Sequence, residues 1–177
     1  MSKLSWGKPR LFIKDLEASQ PSWKELNTPV QDTTEIQVTK GDKLEAPIEG
    51  GQNEEVKFKA STYEIVYNIR KLKGRTVPIA NTDGVVSKHY ALAVMPEDPT
   101  NIGFYVPDTT VSIDDSFTSQ DGAIWQIQHD AITAASGNTV KWGTLSIVES
   151  KLKFTETHLP EGQTEVATFE ETVTELS

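Results

Sequence analysis

The chain of 177 residues contains no cysteine, and this absence excludes several kinds of chemistry. Without cysteine there can be no disulfide framework, no thiolate nucleophile and no cysteine-ligated metal ion. A domain of this length can bury a core without such cross-links. The absence therefore fits a reducing compartment without requiring one, because a core of this size needs no disulfides outside the cell either.

Long apolar runs are also missing. No stretch of the chain is long enough to span a bilayer, and the first ten residues, MSKLSWGKPR, lack the apolar segment of a secretory signal. We therefore expect a protein without a secretory signal and without membrane contact.

Positive charge is scarce in the second half of the chain. Residues 89–177 hold 3 Lys and Arg against 14 Asp and Glu, whereas residues 1–88 hold 14 against 12, and the net charge is −9. Because Lys and Arg supply most of the affinity for phosphates, this balance argues against a protein that grips nucleic acid. It fits either a solubilising surface or a surface that a polyanion passes without binding.

Patterns typical of catalytic and metal sites are missing as well. The three histidines, His89, His129 and His158, lack the spacing of a zinc site, and no Gly-x-Ser-x-Gly elbow marks a serine nucleophile. His129 and Asp130 are adjacent in a predicted strand, so their side chains should point to opposite faces and not pair. We expect a protein that is not an enzyme and that holds no cofactor and no metal.

A repeated strand pattern fills the region between residues 33 and 148. Apolar and polar residues alternate there in short runs separated by glycine-containing turns, and strands at such spacing predict a mainly β fold, a two-sheet antiparallel β-sandwich or barrel. Asp121 and Gly122 suit a two-residue hairpin turn. The stretch 95–107, with three prolines, predicts a long irregular loop. The strongest strand signal lies in 63–72, where one face carries Tyr63, Ile65, Tyr67 and Ile69.

Polar segments flank this core, namely an N-terminal arm over 1–32 and a C-terminal strand and acidic arm over 149–177. In the first arm Ser22 and Glu25 match a capping box, which predicts one helical turn. Trp6 and Trp23 also lie there, and such aromatics are buried either by a partner or by the arm folding back on its own sheets. The last part of the chain is expected to be disordered or ordered by a neighbour.

Five segments carry a resemblance to a known family. They read TKGDKLEAPIEGGQNEEVKF, TYEIVYNIRKLKGR, PEDPTNIGF, SFTSQDGAIWQIQHDA and VKWGTLSI, and they fall within roughly residues 20–148. Together they resemble the tail tube, or major tail, proteins of tailed bacteriophages, and the versions from phages and prophages of Bacteroidales-like gut bacteria most closely. Such proteins are defined by their fold and not by a catalytic signature.

The resemblance implies a β-sandwich or barrel with one short flanking helix, for which residues 23–27 and 99–104 are the candidates. It implies that six copies close into a ring, that inner strands of all copies form one barrel around a lumen, and that rings stack into a tube conducting DNA without specific binding. The implied partners are sister copies and other tail proteins. The implied location is the virion tail, assembled in the cytoplasm of the bacterial host.

From the apolar residues of the arms and of the strongest strand we predict a subunit interface. Removal of 1–14 or 161–177 should then impair ring stacking and leave the sandwich folded. The predicted interface residues are Trp6, Leu11, Phe12, Trp23, Tyr63, Ile65, Tyr67, Ile69 and Phe169.

Two other classes of protein stay open. One is a monomeric β-sandwich module that binds carbohydrate or protein. The other is a small-ligand barrel of lipocalin type, which is least favoured because the large aromatics of the predicted strands would fill its cavity.

Overall fold

The computed structural model describes residues 7–135, 137–159, 161–162 and 166–175, and this part of the chain is mainly β. The strands are β1 (Arg10–Asp15), β2 (Trp23–Glu25), β3 (Glu35–Thr39), β4 (Lys43–Pro47), β5 (Asn53–Phe58), β6 (Thr62–Arg70), β7 (Val85–Met95), β8 (Gly103–Thr118), β9 (Gly122–Ala131), β10 (Lys141–Val148), β11 (Lys151–Glu156) and β12 (Thr168–Glu175). Ten of them form one large sheet, and β4 and β5 form a separate hairpin. No helix long and apolar enough to cross a membrane occurs among these residues.

Seven strands close into a barrel. Their order is β10, β11, β12, β2, β1, β7 and β8, and β8 returns to β10 through the pairing of Gly103 with Gly143. Neighbouring strands are antiparallel except β12 and β2, which run parallel, so the prediction of a purely antiparallel fold is wrong for this pair. Closure of the barrel leaves these strands without a long exposed edge.

The junction of β8, β10 and β11 requires glycine. A Cβ atom on Gly143 would lie 2.1 Å from the Thr155 carbonyl oxygen, and one on Gly103 would lie 2.5 Å from the Val94 carbonyl oxygen. Real Cβ contacts are never this short, so the strands can approach each other here only because both residues lack a side chain.

The length of β8 allows it to serve two layers. Its first residues belong to the barrel, and from Thr109 to Thr118 it pairs with β9. Since β9 pairs with β6 and β6 with β3, the strands β8, β9, β6 and β3 form an antiparallel sheet, here called the four-stranded layer. This layer covers one outer wall of the barrel.

Two apolar clusters hold the layers together. The first fills the barrel and includes Phe12, Trp23 and Phe154, which are fully buried. The second lies between the barrel wall and the four-stranded layer, and Leu11 belongs to it. Because successive residues of a strand point to opposite faces, β1 supplies side chains to both clusters.

The predicted short helix is absent from the described residues. Trp23–Glu25 forms β2, which pairs with β1 on one side and β12 on the other. Of residues 99–104, the first four form a turn that leads into β8 and the last two begin that strand. The capping-box pattern misled because it reports only local hydrogen bonds. Here strands distant in sequence satisfy the same backbone groups.

The predicted irregular loop over 95–107 is shorter than expected. β7 continues through Met95 and β8 begins at Gly103, so the irregular part covers 96–102. Pro107 lies in β8 where the pairing with β7 is irregular, between the partners of Tyr90 and Leu92. A proline is tolerated at such a break in the ladder because its missing N–H is not needed there.

The segments predicted to be extended arms supply barrel strands instead. β1 lies between β2 and β7, and β12 lies between β11 and β2. Trp23 is fully buried by residues of its own chain. For this aromatic, the prediction that the arm folds back on its own sheets is therefore correct. Trp6 lies outside the described residues.

Candidate self-association surfaces

The outer face of the four-stranded layer, which points away from the barrel, is almost entirely polar. Cross-strand pairing puts its residues in register, and their neighbours along each strand point inward to the core. It carries four carboxylates and one arginine, and its two apolar members, Val66 and Ile124, are partly or largely covered. The outer face comprises Glu35, Gln37, Thr39, Thr62, Glu64, Val66, Asn68, Arg70, Thr110, Ser112, Asp114, Ser116, Thr118, Ile124, Gln126, Gln128 and Asp130.

Both margins of the four-stranded layer are unpaired within the part of the chain that the structure describes. At one margin β3 pairs with β6 on one side only. At the other margin the pairing of β8 with β7 ends at Ser112, and residues 114–118 have a strand partner only in β9. Each margin therefore offers a row of backbone N–H and C=O groups to another strand.

Among the described strands, β4 and β5 pair only with each other. Every residue in both strands is exposed, including Leu44, Val56 and Phe58. The Lys40 ammonium group lies 4.2 Å from the centre of the Phe58 ring. An isolated two-stranded hairpin is at best marginally stable in water, so a hairpin with exposed apolar side chains is suited to docking on another surface.

A groove of about 960 Å³ opens beside β3. Its floor is apolar and its rim carries charged residues, Lys8 and Glu35 among them. The Phe104 and Trp142 rings in its floor pack against each other with their centres 5.2 Å apart. The apolar lining comprises Pro9, Pro29, Val30, Ile36, Val94, Ile102, Phe104 and Trp142.

Within the second cluster, three buried polar side chains are linked by hydrogen bonds. Nε2 of His129 lies 2.8 Å from the Tyr67 hydroxyl oxygen, and its Nδ1 lies 2.9 Å from Oγ1 of Thr109, which donates to the Tyr90 carbonyl oxygen at 2.6 Å. Burial lowers the pKa of His129 to about 3 and raises the pKa of Tyr67. Since the Thr109 proton is used, Nδ1–H donates to Thr109 and Nε2 accepts from Tyr67, which fits a neutral imidazole.

His129 and Asp130 point to opposite faces, as strand alternation predicts. His129 is fully buried, whereas the Asp130 carboxylate lies on the outer face and accepts a hydrogen bond from the Gln128 amide at 2.8 Å. His89 and Asp108 form a half-exposed pair with 2.9 Å between Nδ1 and Oδ1. Within the described ranges, no group of three or more His, Asp or Glu residues is arranged to hold a metal ion.

Most of the residues predicted for the subunit interface are covered by their own chain. Tyr63 and Phe169 are half-buried against the two clusters of their own chain. A side chain buried in this way cannot contact a second copy unless the fold opens, so the interface prediction is wrong for the buried six. These are Leu11, Phe12, Trp23, Ile65, Tyr67 and Ile69, each at most 3% exposed.

Sequence reasoning missed the surfaces that are open to a partner. The free segment 114–118 of β8, the hairpin and the groove depend on which strands pair, and no local pattern reports that. The sequence signal for them was the alternation of polar and apolar residues in β8, which places the apolar residue Phe117 close to the turn at Asp121. No protein-family model matches the chain, and no curated protein matches it.

Proposed function

We propose that this protein is a structural subunit that assembles with its own copies into closed rings, which stack into a tube of the phage-tail type that conducts DNA. The observation that carries the proposal is the four-stranded layer, with two unpaired margins and a polar outer face. Unpaired margins favour addition of further strands, and copies that add head to tail with a suitable rotation close into a ring.

Strand direction in the layer supports such a ring. The order β8, β9, β6, β3 is antiparallel throughout, so β3 runs opposite to β8. When β3 of one copy lies beside β8 of the next in the same orientation, the new pair is antiparallel too. An even number of alternating strands thus repeats without a break, whatever the number of copies.

The stagger between the two margins supports closure into a barrel. Gln37, the centre of β3, is level with Thr110 through the pairs Gln37 with Glu64, Glu64 with Asp130, and Asp130 with Thr110. The centre of the free β8 segment is Ser116, six residues further along the strand. At about 3.3 Å per residue and 4.8 Å per strand spacing, six residues over four spacings correspond to a strand tilt of about 45°. Closed barrels have strands tilted by roughly 35–45°.

The charge of the outer face supports a lumen for DNA. In the proposed ring this face lines the inside, where its four carboxylates outnumber Arg70, whose guanidinium group already donates to the Asp121 carbonyl oxygen. An acidic wall of hydroxyl and amide groups repels phosphates and offers few cations to hold them. DNA would therefore pass without sticking.

The hairpin supplies a contact for stacking. It follows β3 at Thr39, whereas the turn at Asp121 and the basic segment 70–75 lie at the opposite end of the layer. The hairpin segment 43–58 carries four Glu against two Lys, and segment 70–75 carries two Lys and two Arg. Opposite charges and exposed apolar residues at opposite ends suit end-to-end contact between rings.

A monomeric binding module is the second candidate, and the aromatic-floored groove favours it. In that case a carbohydrate or an extended peptide would occupy the groove and the protein would stay monomeric at high concentration. Titration of the monomer with oligosaccharides, followed by the fluorescence of its four tryptophans, of which Trp142 lines the groove, would detect such a ligand.

Native mass spectrometry and electron microscopy of the purified chain test the proposed ring. We expect one closed oligomer of defined size, six copies by family resemblance, and tubes at high concentration. A protein that stays monomeric up to millimolar concentration would contradict the proposal.

Proline substitutions in β3 test the margin itself. Adjacent residues direct their N–H groups to opposite sides of a strand, so one of Gln37→Pro and Val38→Pro removes a donor to β6 and the other removes a donor at the free margin. We expect the variant that retains the melting temperature to lose rings. Rings that survive in that variant would exclude β3 from the interface.

A further inference from the structure

The described part of the chain leaves the Phe117 side chain largely uncovered. Its side chain is 76% exposed, the highest value among the exposed large apolar residues of the described chain. It lies in the free segment 114–118 of β8, one residue from the end of the strand. An exposed aromatic ring on an unpaired strand is a common anchor of protein interfaces.

Strand alternation fixes the face on which Phe117 lies. In β8, Val111 and Ile113 point toward the barrel and belong to the second cluster. Phe117 is four residues beyond Ile113, so its side chain points to the same face. In β3, Ile36 packs against the same cluster, so it also points toward the barrel.

These directions become important when β8 of one copy continues the layer of the next. Beside β3, the neighbour's Phe117 would point to the barrel side, where Ile36 forms one wall of the groove. The groove floor holds Val94, Phe104 and Trp142, which are apolar or aromatic partners suited to a phenyl ring.

We propose that Phe117 of one copy inserts into the groove of the adjacent copy, so that the groove is the receptor half of the lateral contact within a ring. This inference rests on the proposed ring and identifies its energetic anchor. It accounts for the exposed ring at one margin of the layer and for the apolar groove at the other. The contact is heterologous, because each copy gives Phe117 at one side and receives it at the other.

Disulfide trapping tests this contact directly, since the chain has no cysteine of its own. Ile102 directly precedes β8 and Phe117 lies near its other end, roughly 50 Å away along an extended strand. A disulfide needs Cα atoms within about 7 Å, so F117C and I102C can be joined only between copies. A mixture of the two single variants should give a covalent dimer, and the double variant should give a ladder ending at the ring size.

The control pair is F117C with V148C, because Val148 is exposed, does not line the groove and lies six residues beyond Trp142 in β10, roughly 20 Å along the strand. This pair should stay monomeric on a non-reducing gel. Equal cross-linking of both pairs would show random collision and would overturn the proposal.

Substitution of the ring measures its contribution. We expect F117A to weaken lateral association by roughly ten-fold or more, from the apolar area of one phenyl ring, and F117L to recover most of it. F58A removes a similarly exposed ring from the hairpin and should leave ring formation unchanged while shortening tubes. F117A rings as stable as those of the unsubstituted protein would overturn the proposal.

The ring and the Phe117 contact can fail separately. If the unsubstituted chain forms no ring, both the proposed function and this contact are wrong. If it forms rings that F117C and I102C do not cross-link, only the contact is wrong, and the margins must pair in another register.

Discussion

The buried histidine makes a quantitative prediction about acid stability. His129 is fully buried and its pKa is about 3, whereas an imidazole in an unfolded chain has a pKa of about 6.5. Below pH 6.5 the unfolded chain binds a proton that the native chain does not bind. The stability contributed by neutral His129 is therefore complete above pH 6.5, falls as the pH falls, and levels off below about pH 3.

The size of the effect follows from linkage. Each pH unit between the two pKa values costs about 1.36 kcal/mol of unfolding free energy. Between pH 7.5 and 4.5 the expected loss from His129 alone is about 3 kcal/mol. Protonation would also place a second hydrogen on the imidazole toward the Tyr67 hydroxyl, which already donates in that direction.

Urea unfolding of the native chain and of His129→Gln at both pH values isolates this contribution. Glutamine offers a donor and an acceptor but does not titrate, and the other ionisable groups are shared, so their effects cancel in the difference. We expect the native chain to lose about 3 kcal/mol more than the variant. His158→Gln, which removes an exposed histidine, should behave as the native chain does.

Equal losses of stability on acidification in the native chain and in His129→Gln would refute this prediction. In that case the site admits water or a compensating charge, and His129 is not held neutral by burial. An NMR titration in which the His129 ring of the folded chain gains its proton near pH 6 would refute it as well.

Two further predictions concern the barrel. Deletion of 161–177 removes β12 from between β11 and β2 and uncovers Trp23, so we expect the free energy of unfolding to fall by roughly 3–5 kcal/mol or more, with a lower melting temperature by circular dichroism. Replacing the exposed hairpin 43–58 by a short turn should leave the melting temperature nearly unchanged. A larger drop in melting temperature for the hairpin variant than for the deletion would contradict the barrel pairing. Gly143→Ala should cost about 1–3 kcal/mol in urea unfolding, because its Cβ would meet the Thr155 carbonyl oxygen, whereas Ser146→Ala in the same strand should cost less than about 0.5 kcal/mol. Equal values for these two variants would show that the strands can separate at the glycine.

Several strands of this fold were predictable because their signals are local. The alternation of Tyr63, Ile65, Tyr67 and Ile69 predicted β6 and the face that it buries, and all four point to the core. The Asp121–Gly122 signal predicted the β8–β9 hairpin, which is present, but the prediction of a two-residue turn at these positions is wrong. Thr118 pairs with Gly122, so the turn covers 119–121, and of the two residues only Gly122 has a positive φ, of 76°. The prediction of a mainly β fold of the sandwich or barrel type is confirmed.

The prediction of a helix at 23–27 and of free arms failed because those segments depend on distant partners. Trp23 packs against Phe169 of β12, about 150 residues later, at 5.2 Å between ring centres, and against Tyr105 of β8 at 5.8 Å. The prediction of the interface residues failed for a related reason, because apolar character alone does not distinguish a side chain in the core from one that docks on a partner.

By itself, the sequence determined the absence of thiol chemistry, the acidic balance and the positions of most strands and turns, because composition and two-residue periodicity act on neighbours along the chain. Tertiary structure alone decided that β8 passes from barrel to layer, that Phe117 is left uncovered, and that a groove opens beside β3. Those features arise from pairings between residues far apart in the chain, where the free energy of contact depends on which faces meet and not on local preference.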